Sequence, residues 1–497
     1  MWLHSKAIRA TALTLLALAI PTIQAAKYRN IVYFKEWTTY APEGDFHLFD
    51  LDWSRATHVK YGFAVPQADG TVTLDDPYAA IIRNYFDSPT NATNSNVARG
   101  TLGLAYILKK KFRTTKFGLS IGGEQHSDNF SALAMTDAGR RTFASTSVQL
   151  MQDLGLDFID VYWASPVEGG GIPHTPNDMQ NLVLLLEAIR KELAKLPFPS
   201  ELTAVAPATQ KSYRHWDTYN VCSFVDHLHV SSFGFTGNAL RFLDHHEHGQ
   251  RWLQTTNLTN YTEHQANLYP DPNNPGVANS VDGALQHYLN GGCPSTKLVM
   301  GIPSFGRSYE NTGGLYGAYT PPTTGSWVYQ GSGLGVWDYK SLPLSGAAEV
   351  FDPKLVAAYS YDPTRKMFTS YDNPQSVAAK LEYIKKFNLG GTMYWSGDAD
   401  ATGGSMRSLI TQAYNTFGPA NMAFSQNTIN YPNSKYANIQ DSTPLTTAAP
   451  SPTATSGPGN QCAGNRNVCF WPVTQQVVVA WTQDDCAKHA NVFVWCS

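Results

Sequence analysis

The chain has 497 residues, room for roughly three domains of about 150 residues or for one large barrel with appendages. With 42% hydrophobic and only 15% charged residues it can bury an extensive core, which excludes wholesale disorder. A net charge of −3 offers no electrostatic footprint for nucleic acid, whereas 12% aromatics, with 12 Trp and 26 Tyr, suit stacking on flat apolar faces such as sugar rings.

Residues 1–25 read as a secretory signal peptide: Lys6 and Arg9 precede an apolar run over 12–20, followed by Pro21 and small residues ending at Ala25 and Ala26. That run is shorter than the ~20 apolar residues of a membrane span, so the expectation is a secreted, extracellular protein with no membrane partner. Four sequons, at Asn91, Asn129, Asn257 and Asn260, agree with export and glycosylation.

From 27 to 418, short β-branched or aromatic runs alternate with amphipathic stretches. The strand-like runs are IVYFKEW (31–37), HVKYGFAV (58–65), KFGLSIGG (116–123), FIDVYW (158–163), LTAVAPA (202–208), HLHVSSFGF (227–235), KLVMGIPSF (297–305) and GGTMYW (390–395). Helical spacing lies between several of them, as over 179–196 and 376–387. The pattern predicts an α/β fold, a (β/α)8 TIM barrel, which needs about 250 residues, with the excess as insertions. The Gly-, Tyr- and Trp-rich stretch 308–372 reads as a small α+β subdomain inserted after strand seven. Barrel chemistry belongs at the C-terminal strand ends, which places Ser120, Gly122 and Gly123 (strand three), Asp157, Asp160, Tyr162, Trp163 and Ala164 (strand four), and Tyr394 and Trp395 (strand eight) at the candidate site.

Residues 419–460 read as a linker, Ser/Thr/Pro-rich from 441, able to hold its ends up to ~60 Å apart and to let them move independently. It leads to a Cys-rich module over 461–497. Cys462, Cys469, Cys486 and Cys496 read as two disulfides in any of three pairings; the spacings C-x6-C and C-x9-C argue against zinc. Cys222 and Cys293 could be buried thiols or a bridge. Trp471, Trp481 and Trp495, beside Phe470, form either a second carbohydrate-binding face or a miniature core.

KFGLSIGG, GLDFIDVYWASP, HQANLYPDPNNPG, MGIPSFGRSYENT, GVWDYKSLP, YSYDP, SYDNP and GGTMYW, in order over 27–418, resemble the family 18 glycoside hydrolases, the chitinases, in their fungal-type form. The resemblance implies a (β/α)8 barrel with an α+β insertion and an open groove for chitin, a polymer of N-acetylglucosamine, with no cofactor and no metal. The family signature on strand four is D-G-x-D-x-D-W-E; here the segment runs Asp157, Phe158, Ile159, Asp160, Val161, Tyr162, Trp163, Ala164. The family's Glu protonates the glycosidic oxygen while the sugar's own acetamide attacks the anomeric carbon and the last Asp orients that acetamide. Ala164 stands at the acid position and Tyr162 at the orienting Asp. A phenol with a pKa near 10 supplies no carboxylate at neutral pH. The M-x-Y-D motif of strand six, whose Tyr and Asp hold the N-acetyl group, aligns with Ser231, Ser232, Phe233 and Gly234.

Tyr33, Phe63 and Trp395 remain at positions matching the family's sugar platform, with Trp395 flooring the central subsite. Asp160, inward on the strand alternation, either faces the groove or is a structural acid bonded to barrel groups. Glu124, after Gly123, and Glu168 are the candidate displaced acids. The expectation is a monomeric pseudoenzyme that binds chitin or N-acetylglucosamine oligomers through Tyr33, Phe63, Asp160, Tyr162, Trp163 and Trp395. The alternatives are a residual glycosidase using a displaced acid, and an enzyme-inhibitor, storage or interaction protein on the same scaffold.

Overall fold

The structure is a computed structural model. It describes residues 27–444 apart from 41–43, 86–95, 165, 168–172, 237–239, 244–249, 254–258, 275, 277–278, 329–332 and 403, together with 467–496 apart from 473–475, 479–480 and 489–492.

Each strand-like run forms a barrel strand: β1 (Arg29–Lys35), β2 (His58–Pro66), β3 (Lys116–Gly123), β4 (Phe158–Trp163), β5 (Glu201–Pro207), β6 (His227–Ser231), β7 (Leu298–Pro303) and β8 (Gly391–Trp395). Neighbours pair in parallel all the way round, and β1 closes the ring by pairing with both β2 and β8. Parallel pairing requires crossovers, and the amphipathic stretches supply them as helices Asp178–Leu193 and Pro374–Lys386. The second starts at Asn373, whose side chain accepts from the N–H groups of Gln375 and Ser376, with Pro374 at the first helical position.

The insertion between β7 and β8 differs from the expected α+β unit. It is a five-stranded antiparallel sheet in the order Val336–Asp338, Phe305–Tyr309, Met367–Tyr371, Ala357–Asp362, Ala348–Asp352, and no α-helix occurs among its described residues before Pro374. Its runs carry a period of two, as in Ala357–Asp362, so the signal for strands was present and the helical half was not.

Residues 419–440 are part of the barrel body rather than a linker. The Asn427 amide donates to the carbonyls of Lys109, Phe112 and Thr115, Tyr431 donates to the Leu156 carbonyl at 2.8 Å, and Ile439 is buried. Cys222 and Cys293 form a disulfide, as do Cys469 and Cys486; Cys496 is also bridged, and Cys462 lies outside the described residues. The signal-peptide segment, Asn91, Asn257 and Glu168 lie outside them too. Asn260 is exposed, whereas the Asn129 amide is half-buried and donates to the Pro66 carbonyl at 3.0 Å. Among the described residues no helix is long and apolar enough to cross a membrane.

Candidate functional site

A groove opens over the C-terminal strand ends, where the barrel fold places its sites. Its floor is a small apolar cluster inside the barrel mouth, Ile31, Tyr33, Phe63, Val299 and Met393, with Trp37, Tyr162, Phe233 and Trp395 packed on it. Trp395 stacks on Phe63 with centroids 5.6 Å apart and planes at 20°, while Tyr33 meets it edge-on at 5.0 Å. Trp37 flanks both Trp395 and Phe63, at 6.2 and 6.4 Å. Such offset and edge contacts fix the rings without filling their outer faces.

Tyr33 and Phe63 are therefore supports rather than platforms. They line the bottom of the groove but keep only 1% and 6% of their surface, so the exposed ring above them is Trp395. Gly123 makes this packing possible: its φ is +83°, and a Cβ there would stand 2.8 Å from the Phe63 ring.

The strand alternation sorts the residues of β4. Asp160 points into the barrel but beneath the groove floor and takes no part in its lining. Its carboxylate accepts from Tyr33 at 2.9 Å, Ser120 at 2.7 Å and Thr203, and pairs with Lys60 at 2.7 Å. Burial opposes its ionisation, yet the Lys60 ammonium and His229 hold it well below the usual carboxylate range; burial in turn lowers Lys60 to about 8. Asp160 is thus the structural acid of the two readings, and it positions Tyr33. Trp163, expected at the sugar face, points the other way: it is 2% exposed and stacks on Phe130 at 5.2 Å in the layer between barrel and helices. Neighbours on a strand face opposite sides, so an inward Tyr162 entails an outward Trp163.

Tyr162, Phe233 and Gly234 line the groove, as the resemblance implied for those positions. Burial pushes the Tyr162 hydroxyl further above its ordinary range, and Glu124 adds to the rise. Ala164 is half-buried beyond the strand, its N–H donating to Ser127 Oγ at 2.9 Å.

Several groove residues were not anticipated: Trp37, Trp327, Lys35, Arg307 and Asp338. Trp37 closes the first strand-like run, and Arg307 follows the seventh, so strand-end position was a usable signal for both. Trp327 and Asp338 come from the insertion, whose placement over the barrel is not encoded in any local pattern. Glu124 also faces the groove; the surrounding protein pushes its carboxyl up and Arg307 pulls it down. Arg307 is lowered by burial, and its Nε and Nη1 have no hydrogen-bond partner among the described residues.

The family model described as glycosyl hydrolases family 18 matches residues 29–400. The chain belongs to that family. It is 36% identical over 420 residues to Chitinase 1 of Aphanocladium album, covering 83% of this chain and 90% of that one. It is 34% identical over 455 residues to Endochitinase 1 of Metarhizium robertsii, covering 88% and 98%. Among solved structures, chitinase ChiA74 from Bacillus thuringiensis matches at a TM-score of 0.69 and 26% identity, over 81% of this chain and 71% of that one. The family 18 barrel is thus present in this chain.

Proposed function

We propose that this family 18 protein is exported and binds chitin or N-acetylglucosamine oligomers in its groove without hydrolysing them. The observation that carries the reading is the composition of the groove. Partly exposed Trp37, Trp327 and Trp395 line the groove, while Ala164, Tyr162, Phe233 and Gly234 supply no carboxylate at the positions that the resemblance assigns to the family's acid and acetamide-holding groups. The relatives matched above are named chitinases, which supports the substrate class.

Glu124 favours a second reading, because it faces the groove and desolvation raises its carboxyl above the ordinary value, with Arg307 opposing. It follows β3, however, and not β4, so it stands on a different strand from the position the resemblance assigns to the family's acid. The test is a hydrolysis assay run beside calorimetric titration with N-acetylglucosamine oligomers. The expected result is binding without turnover, since general acid–base help alone contributes ~10² to 10⁴ in rate and the acetamide-positioning groups are absent as well. Trp395→Ala should weaken binding about fivefold or more, from the ~1 to 3 kcal/mol typical of an anchoring ring. Turnover abolished by Glu124→Gln would establish the glycosidase reading, and absence of any binding would leave the interaction-protein reading.

A further inference from the structure

Four charged side chains line the groove: Lys35, Glu124, Arg307 and Asp338. Two of them are already matched, Lys35 with Asp398 at 2.9 Å and Asp338 with Lys340 at 3.5 Å. Glu124 and Arg307 feel each other's charge but make no ion pair within 4 Å among the described residues. The groove therefore offers an exposed carboxylate and, among the described residues, guanidinium donors without a hydrogen-bond partner.

At the positions that the resemblance assigns to the family's acetamide-holding groups, the lining is equally specific. Tyr162 and Phe233 present rings, and a Cβ at Gly234 would meet nothing within 4 Å, so this part of the groove is open and holds no carboxylate to orient an acetamide. Aromatic faces attract cations, and the Lys35 ammonium already lies 6.0 Å from the Trp37 ring and 5.7 Å from the Trp327 ring. An ammonium on the ligand finds the same faces and the free Glu124 carboxylate. Arg307 cannot receive a cation, but its Nε and Nη1 can donate to sugar hydroxyl oxygens.

We infer that the groove prefers oligosaccharides containing glucosamine, the de-N-acetylated sugar, with the 2-ammonium set against Glu124. The inference rests on the oligosaccharide-binding reading above and names its ligand class. The experiment titrates glucosamine hexamer and N-acetylglucosamine hexamer separately into the full chain, into Glu124→Gln, and into Glu382→Gln, a surface variant with the same loss of charge. The expected result is at least tenfold tighter binding of the glucosamine hexamer. Glu124→Gln should bring that ratio close to one while leaving N-acetylglucosamine hexamer affinity within about twofold, and Glu382→Gln should leave the ratio intact. Equal or tighter binding of the N-acetylated hexamer overturns the preference and leaves the groove reading standing. A preference reduced alike by both variants assigns it to bulk charge and overturns the role of Glu124. Failure of both hexamers to bind overturns the inference together with the reading beneath it.

Discussion

Asp160 shows how one inward side chain is settled by its neighbours. A buried carboxylate survives only when paired and hydrogen-bonded, and Lys60, Tyr33, Ser120 and Thr203 meet both conditions. Asp160→Ala should therefore destabilise the barrel by about 3 to 5 kcal/mol in urea unfolding, because it strands the Lys60 charge. A loss below about 1 kcal/mol would show that water reaches Lys60. A second buried residue sets an acid limit. His264 is 4% exposed, both its ring nitrogens lack hydrogen-bond partners among the described residues, and burial lowers it to about 4, with Asp271 and Asp352 pulling the other way. The folded value lies below the ordinary 6.5, so protons favour the unfolded chain; this contribution is complete above pH 6.5 and is lost as pH falls toward 4. Between pH 7.5 and 5 it amounts to about 2 kcal/mol, which His264→Leu should remove from the difference between unfolding curves at the two pH values. Strand periodicity made the inward direction of Asp160 legible, but its partners come from β1, β2, β3 and β5, and no local pattern brings those together.

At the scale of elements, the barrel strands were readable because buried parallel strands are short, nearly continuous apolar runs with β-branched residues. The insertion was harder, since its short strands alternate polar and apolar residues and pair only with one another. The tail 419–440 was misread because its composition is polar, yet polar residues such as Asn427 satisfy barrel carbonyls that would otherwise be orphaned. The bridge Cys222–Cys293 ties the helix Thr218–Phe224 to the turn before β7 across 71 residues. Closing so long a loop in the unfolded chain contributes about 4 kcal/mol in the loop-entropy picture. The double variant Cys222→Ala, Cys293→Ala should lower the unfolding midpoint accordingly while leaving oligosaccharide affinity unchanged, because neither residue lines the groove. A change in affinity without a change in midpoint would mean that the bridge acts on the groove through β6.

For the molecule as a whole, the relation between barrel and C-terminal module decides how many attachment points the protein has. A free module with exposed coplanar rings would add a second site, and on a polymer the avidity could exceed either affinity by about 10² or more. The rings are not free. Trp471 is fully buried, and Trp481 and Phe493 pack on Phe49 of the barrel at 5.6 and 4.8 Å, so that module and barrel share one apolar cluster. Trp495 is half-buried against the same cluster. The Trp residues that the sequence offered as a second sugar face are thus mostly used for docking, and independent movement of the two ends would require breaking these contacts. Deleting 445–497 should then expose Phe49 and cost on the order of 1.5 to 3 kcal/mol of barrel stability, readable as a lowered melting temperature. Retention on chitin beads should be the same for the full chain and the truncated barrel through washes of increasing stringency, because the groove is intact in both. Unchanged stability with at least tenfold weaker retention after truncation would reverse this assignment and make the module an independent anchor, its rings turned to the polymer and away from Phe49.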